Sequence, residues 1–243
     1  MRSINQKGQF SPIGNSNVKP ASVDSVLKLL EEELPKLRKD ITITATTNEN
    51  KINEELCLIL GRGSRRKEYP FIFIHETNEG KRRVDLGVFD SMKEEEIQTH
   101  VTATGTAIYK QGKKSLCVIE GKRLPTLGSG REKEYVTGID KNKATGGMER
   151  FKKGKHGKHL VQAIIVAYVQ EDSLNLWIKR INNWIEDLAL NNTDSEIIWT
   201  ISDKLKRRIT QNTDLAKLVS KNKRLVSTIE DEITIHHFLV MVV

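Results

Sequence analysis

The stretch SLCVIEGKRL, residues 115–124, constrains the fold of this chain more than any other. Leu116 to Ile119 is an apolar, β-prone run, and it leads straight into Glu120 and Lys122. Such a strand belongs inside a sheet. A carboxylate or ammonium buried there costs several kcal/mol unless it is paired or bound to a metal. Side chains two apart on a strand share a face, so Glu120 and Lys122 stand side by side. The pattern leaves an ion pair at a strand end, or half of an active site.

The rest of the chain sets that strand in an α/β context. Residues 1–20 read as a loose arm rich in Asn, Ser, Gly and Pro. Residues 21–243 then read as a single domain, with a core at about 41–190 and a C-terminal extension at 191–243. Val23, Val26, Leu27, Leu30, Leu34 and Leu37 lie on one helical stripe. Ser22 is placed to cap that helix and Pro35 to bend or end it. ITITATT reads as a short strand or connector, and NENKINEELCLILGRG as a second helix stopped by Gly61 and Gly63. YPFIFIHET and RVDLGVFD form a predicted hairpin around the turn NEGKR. Residues 91–114 are polar and read as a β-excursion or loop. MERFKKGKHGKHLVQAIIVAYVQED is expected to be a helix interrupted near Gly154 and Gly157. SLNLWIKRINNWIEDLAL is an amphipathic helix, with Trp177 and Trp184 at helical spacing as core or dimer contacts. Weaker helices are expected over Asp203 to Asn222, and EITIHHFLVMVV, with His236 and His237, reads as a last strand.

Charge narrows the partner. The formal net charge is +8 among 243 residues, so a polyanion is the natural partner. No apolar run is long enough to span a bilayer and no apolar leader opens the chain, so no membrane partner is expected. Cys57 and Cys117 sit in apolar segments and read as free thiols of a reducing, cytoplasmic compartment.

Two more carboxylates face inward. Asp85 lies mid-strand between Val84 and Leu86. Glu49 opens the second helix, on the stripe that continues through Ile52, Leu56 and Leu60. Three inward acids beside one lysine call for a compensating charge, and a hard divalent cation with oxygen ligands supplies it.

This order resembles the PD-(D/E)xK nuclease superfamily: a helix glutamate, a strand aspartate, then Glu-x-Lys on a following apolar strand. The resemblance covers roughly residues 49–170. It implies a restriction-endonuclease-like α/β fold, a mixed central sheet flanked by helices, with extra N- and C-terminal helices. Asp85 matches the first metal ligand, Glu120-Gly121-Lys122 the (D/E)xK motif, and Glu49 the helix glutamate. Gln162 matches a glutamine often found on the helix after the site. Val84 stands where the family carries proline. The implied activity is Mg²⁺-dependent phosphodiester hydrolysis, with Mn²⁺ able to substitute and DNA as the first substrate. Asp85, Glu120 and the carbonyl of Gly121 would hold the metal. Lys122, its pKa lowered by burial, would act on the water or the phosphate. A restriction or anti-phage role, working as a homodimer or with a defence partner, follows by analogy. The rival reading is a non-catalytic nucleic-acid-binding protein that keeps the fold.

The charge excess is concentrated after the motif. Between Arg131 and Lys158 nine basic residues face four acidic ones, or +5 of the chain's +8. Arg123, Arg131, Lys143, Arg150, Lys152, Lys153, Lys155, His156 and Lys158 are the expected nucleic-acid contacts. Gly146, Gly147, Gly154 and Gly157 would let the backbone approach the phosphates.

Overall fold

A computed structural model describes residues 19–79, 82–91, 99–101, 107–109, 115–128, 131–138, 145–191, 197–208, 213–224 and 231–243. Most of the N-terminal arm, most of residues 92–114 and Lys143 lie outside them. Ser22 caps helix α1 (Val23–Glu33), its hydroxyl accepting from the Ser25 amide at 3.2 Å. At Pro35 the chain tightens into a 3-10 helix, Leu34–Lys39. ITITATT forms turns, not a strand. Asn48 caps helix α2 (Glu49–Arg66), which runs through both glycines that were expected to stop it. A Cβ on Gly63 would lie 2.7 Å from the Glu33 side chain. That glycine serves the close approach of α1 and α2.

The remaining elements are β1 (Phe71–Glu79), β2 (Arg82–Asp90), β3 (Thr99–Val101), β4 (Ala107–Tyr109), β5 (Cys117–Leu124), α3 (Gly147–Lys152), β6 (Gln162–Val169), α4 (Leu174–Asn191), β7 (Lys206–Arg208), β8 (Leu215–Lys223) and β9 (Glu232–Met241). Seven strands form one mixed sheet in the order β1-β2-β5-β6-β9-β8-β7, and β3 pairs with β4 apart from it. The predicted hairpin is present as antiparallel β1 and β2. Strands β5, β6 and β9 run parallel at the centre.

Two expected helices are strands. The apolar half of residues 148–172 is β6, buried between β5 and β9, and only Gly147–Lys152 is helical. A parallel strand covered on both faces is apolar throughout and shows no alternation. The region expected as weak helices holds β7 and β8. The segment set apart as a C-terminal extension therefore supplies three of the seven sheet strands, with β9 between β6 and β8.

Alternate residues of β6 enter two cores. Ile164, Val166 and Tyr168 pack with Leu30, Leu56 and Leu60 of α1 and α2. Ala163, Ile165 and Ala167 pack with Phe151, Trp177 and Ile181 of α3 and α4. Helices thus cover both faces of the sheet in an α/β architecture, and Trp177 and Trp184 belong to the second core. Both cysteines are free thiols. No helix among the described residues is long and apolar enough to cross a membrane.

Candidate active site

Strands β2 and β5 pair only at Leu86–Ile119, Gly87–Val118 and Val88–Cys117. The next opposed positions in that register are Asp85 and Glu120, where the ladder ends. The strands part at two carboxylates. The Gly121 amide bridges the gap, donating to Asp85 Oδ2 at 2.8 Å. Glu120 is buried, and Lys122 Nζ lies 3.0 Å from its Oε1. The same ammonium lies 3.1 Å from Glu49 Oε1. Glu49 Oε2 accepts the Arg123 amide at 2.9 Å. The Glu49 side chain is 33% exposed, against 1% for Glu120 and 7% for Lys122, so the cluster opens toward the start of α2.

Two further cations reach Glu120 from the segment around α3. An Arg150 guanidinium nitrogen bonds Oε1. His156 Nδ1 lies 3.1 Å from Oε2, and since an ionised carboxylate only accepts, Nδ1 carries the proton.

The electrostatics separate the two acids. Burial pushes Asp85 upward, neighbouring Glu120 adds to it, and its pKa reaches about 7. Burial also acts to raise Glu120, but Lys122, His156 and Arg150 more than reverse this and hold it well below the usual carboxylate range. Lys122 departs from the sequence expectation. Burial lowers it, yet Glu120, Glu49 and Asp85 outweigh burial and raise its pKa above the ordinary lysine value. These neighbours favour the charged ammonium of Lys122.

Gly121 has a packing reason to be glycine. It faces α2, where a Cβ would sit 2.0 Å from Asn53 Oδ1. Asn53 Oδ1 accepts the Tyr168 hydroxyl at 2.6 Å. Gly121→Ala should displace Asn53 and break that buried bond. The expected loss of stability is about 1–3 kcal/mol, read from urea denaturation. An unchanged midpoint would mean that α2 yields freely here.

Comparison of the chain with protein-family models, with curated proteins and with solved structures returns no match. The site's own geometry carries its chemistry.

That geometry brings together Asp85, Glu120, Gly121, Lys122 and Glu49, and corrects several other expectations. Gln162 opens β6, not a helix, and accepts from His236 Nε2 at 2.8 Å, outside this cluster. Arg123 is buried and donates to the carbonyls of Pro125 and Ala45, both at 2.6 Å, so its guanidinium is spent on the chain. Lys152 is fully buried against Asp203 at 2.9 Å, and buried Lys153 pairs with Glu149 at 3.3 Å. Neither presents its charge to a phosphate. His156 is buried on Glu120 and is no surface contact. Arg150 is partly exposed but committed to Glu120. Arg131 is exposed and pairs with Glu134. Lys155 and Lys158 are exposed, as a backbone contact requires. The glycines serve the fold: a Cβ on Gly146 would lie 2.3 Å from Thr137 Cα, and one on Gly147 would lie 3.4 Å from Lys122 Cε. Gly154 and Gly157 take left-handed conformations at φ 59° and 58°.

Asn53 was legible in principle, one helical turn after Glu49 on the same face of α2. Nothing local to Arg224 announces its part. Its guanidinium is buried and gathers the carbonyls of Phe151, Gly157 and Leu160 at 2.9–3.1 Å, tying down the turn after α3.

Proposed function

We propose that this protein hydrolyses phosphodiester bonds with a divalent cation of the Mg²⁺ type, in the manner of PD-(D/E)xK nucleases, with DNA as its substrate. The supporting observation is the convergence of Asp85, Glu120, Lys122 and Glu49 where β2 and β5 part. The parting of the strands, the mixed sheet and its covering helices suit a restriction-endonuclease-like arrangement.

The donor set suits a hard cation. Asp85 accepts one backbone amide, and among the described residues no cation stands within salt-bridge distance of it. Its raised pKa marks a carboxylate short of positive charge. Among the described residues no three His, Cys, Asp or Glu side chains form a cage. Mg²⁺ keeps several waters and is commonly held by one or two carboxylates. Asp85, Glu120 and the Gly121 carbonyl would hold it, and it would supply a polarised water and charge on the phosphate. Lys122, held charged by its neighbours, would stabilise negative charge developing on the phosphoryl oxygens. Glu49 keeps that ammonium oriented at the open side. The exposed Lys155 and Lys158 and the net charge of +8 favour a polyanionic substrate.

A non-catalytic reading has its own support: Glu120 is already satisfied by Lys122, Arg150 and His156, as a structural acid would be. Incubation of plasmid and single strands with Mg²⁺, Mn²⁺ or EDTA decides between them. Cleavage with either ion but not with EDTA is expected, whereas binding without cleavage would leave only the second reading. Lys122→Ala is expected to lower turnover at saturating substrate by roughly 10²–10³-fold, with little change in affinity. A loss confined to affinity would make Lys122 a backbone clamp.

A further inference from the structure

We infer that His156 is a positioning residue, which fixes the Glu120 carboxylate for metal binding. The inference rests on the reading of Asp85 and Glu120 as metal ligands. The turn after α3 is built to deliver one atom. Arg150 O accepts the amides of Lys155 and His156 at 2.8 and 3.3 Å, folding the chain back on itself. Gly154 and Gly157, both left-handed, bracket the reversal. The His156 ring packs edge-on against Phe151, with centroids 6.1 Å apart. Arg224 gathers three carbonyls of the segment from the far side. The result is a buried imidazole whose Nδ1 meets Glu120 Oε2 at 3.1 Å.

Lys122 and Arg150 both bind Oε1, and His156 alone among the described residues binds Oε2. A carboxylate gripped at one oxygen can still swing the other. The imidazole bond stops that rotation and fixes the plane of the group. Outer-shell partners of this kind typically change metal affinity or activity by roughly 10–100-fold when removed.

The test compares His156→Asn, which keeps an N–H where Nδ1 stands, with His156→Gln, which moves it toward the place of Nε2, and with His156→Ala. Mn²⁺ affinity is measured calorimetrically on the metal-free, full-length protein without nucleic acid, and melting temperature is recorded for each variant. The wild type is expected to bind Mn²⁺. The Asn variant should lie within a few-fold of it, and the Gln and Ala variants roughly tenfold or more weaker. Should Ala not fold, the Asn–Gln pair carries the comparison. Equal Mn²⁺ affinity in the Asn and Gln variants, or in wild type and a folded Ala variant, would overturn the inference, even if melting temperatures differ, because a merely structural bond alters stability alone. If the folded wild type binds no Mn²⁺, the metal reading itself fails, and this inference with it.

Discussion

Asp85→Asn is expected to abolish divalent-dependent cleavage and, above pH 7, to leave the metal-free protein more stable than the wild type. The two effects share one cause. Asp85 is an acid near another acid, and burial together with Glu120 raises its pKa to about 7. In the unfolded chain its pKa is about 3.9. Its protonated form is therefore favoured by folding, and that contribution is complete below pH 4 and lost as pH rises through 7. Asparagine keeps an oxygen for the Gly121 amide and removes the charge. The variant should lack this share of the decline between pH 4 and 7 and gain roughly 2–4 kcal/mol above it, measured by urea denaturation in EDTA across pH. With Mn²⁺ the order should reverse, since only the wild type gains binding energy in the folded state. Loss of a metal ligand removes several kcal/mol of transition-state stabilisation, so the rate should fall on the order of 10³-fold or more. Full cleavage by the variant would end the assignment of Asp85, and a lower metal-free stability at pH 8 would contradict the electrostatic account.

Lys152→Ala is expected to destabilise the fold by about 3–5 kcal/mol. Lys152 and Asp203 form an ion pair 2.9 Å long with both side chains essentially inaccessible. The ammonium also lies 4.9 Å from the Trp199 ring centroid. Burial lowers the lysine and raises the aspartate, so both are held against their desolvation by each other. Removing one partner strands the other. The double variant Lys152→Met/Asp203→Asn should recover a large part of the loss, because the methionine fills the volume and the amide still accepts the Thr200 amide, bonded at 2.7 Å. Chemical denaturation of the two variants measures this coupling. An unaltered stability in Lys152→Ala, together with weaker DNA binding and a flatter salt dependence, would return Lys152 to the phosphate contacts that the basic run suggested.

That reversal of role shows why the basic segment misleads as a string. Between Arg131 and Lys158 the charge excess is real, but a run of lysines says nothing of what lies across from it. The partner of Lys152 is Asp203, fifty-one positions on. Glu149 sits one turn from Lys153, and the burial of both was not written in their spacing. Arg123 reads as a cation beside a catalytic lysine, yet its guanidinium binds Ala45 O in the connector before α2. The site proper was more legible. An inward acid on an apolar strand is costly wherever it stands, so Glu120, Lys122 and Asp85 declared themselves through their neighbours.

Local physics wrote several elements directly into the sequence. Ser22 and Asn48 cap helices because their side-chain oxygens satisfy amides that a helix start leaves open. Pro35 cannot donate within a helix, and α1 ends before it. The hairpin follows from two β-prone runs around a turn, and the stripe of α4 from helical periodicity. Tertiary structure alone decided β6 and β8. The run from Ala163 to Val169 is apolar throughout, so neither a two-residue nor a helical period can declare itself. It is a strand because β5 and β9 flank it and helices cover both faces. Leu215–Lys223 reads as part of a weak helix until β9 supplies its backbone bonds. The distance between Asp85 and Glu120 was likewise beyond the string: it is set where β2 stops pairing with β5, and only the assembled sheet places that point between two carboxylates.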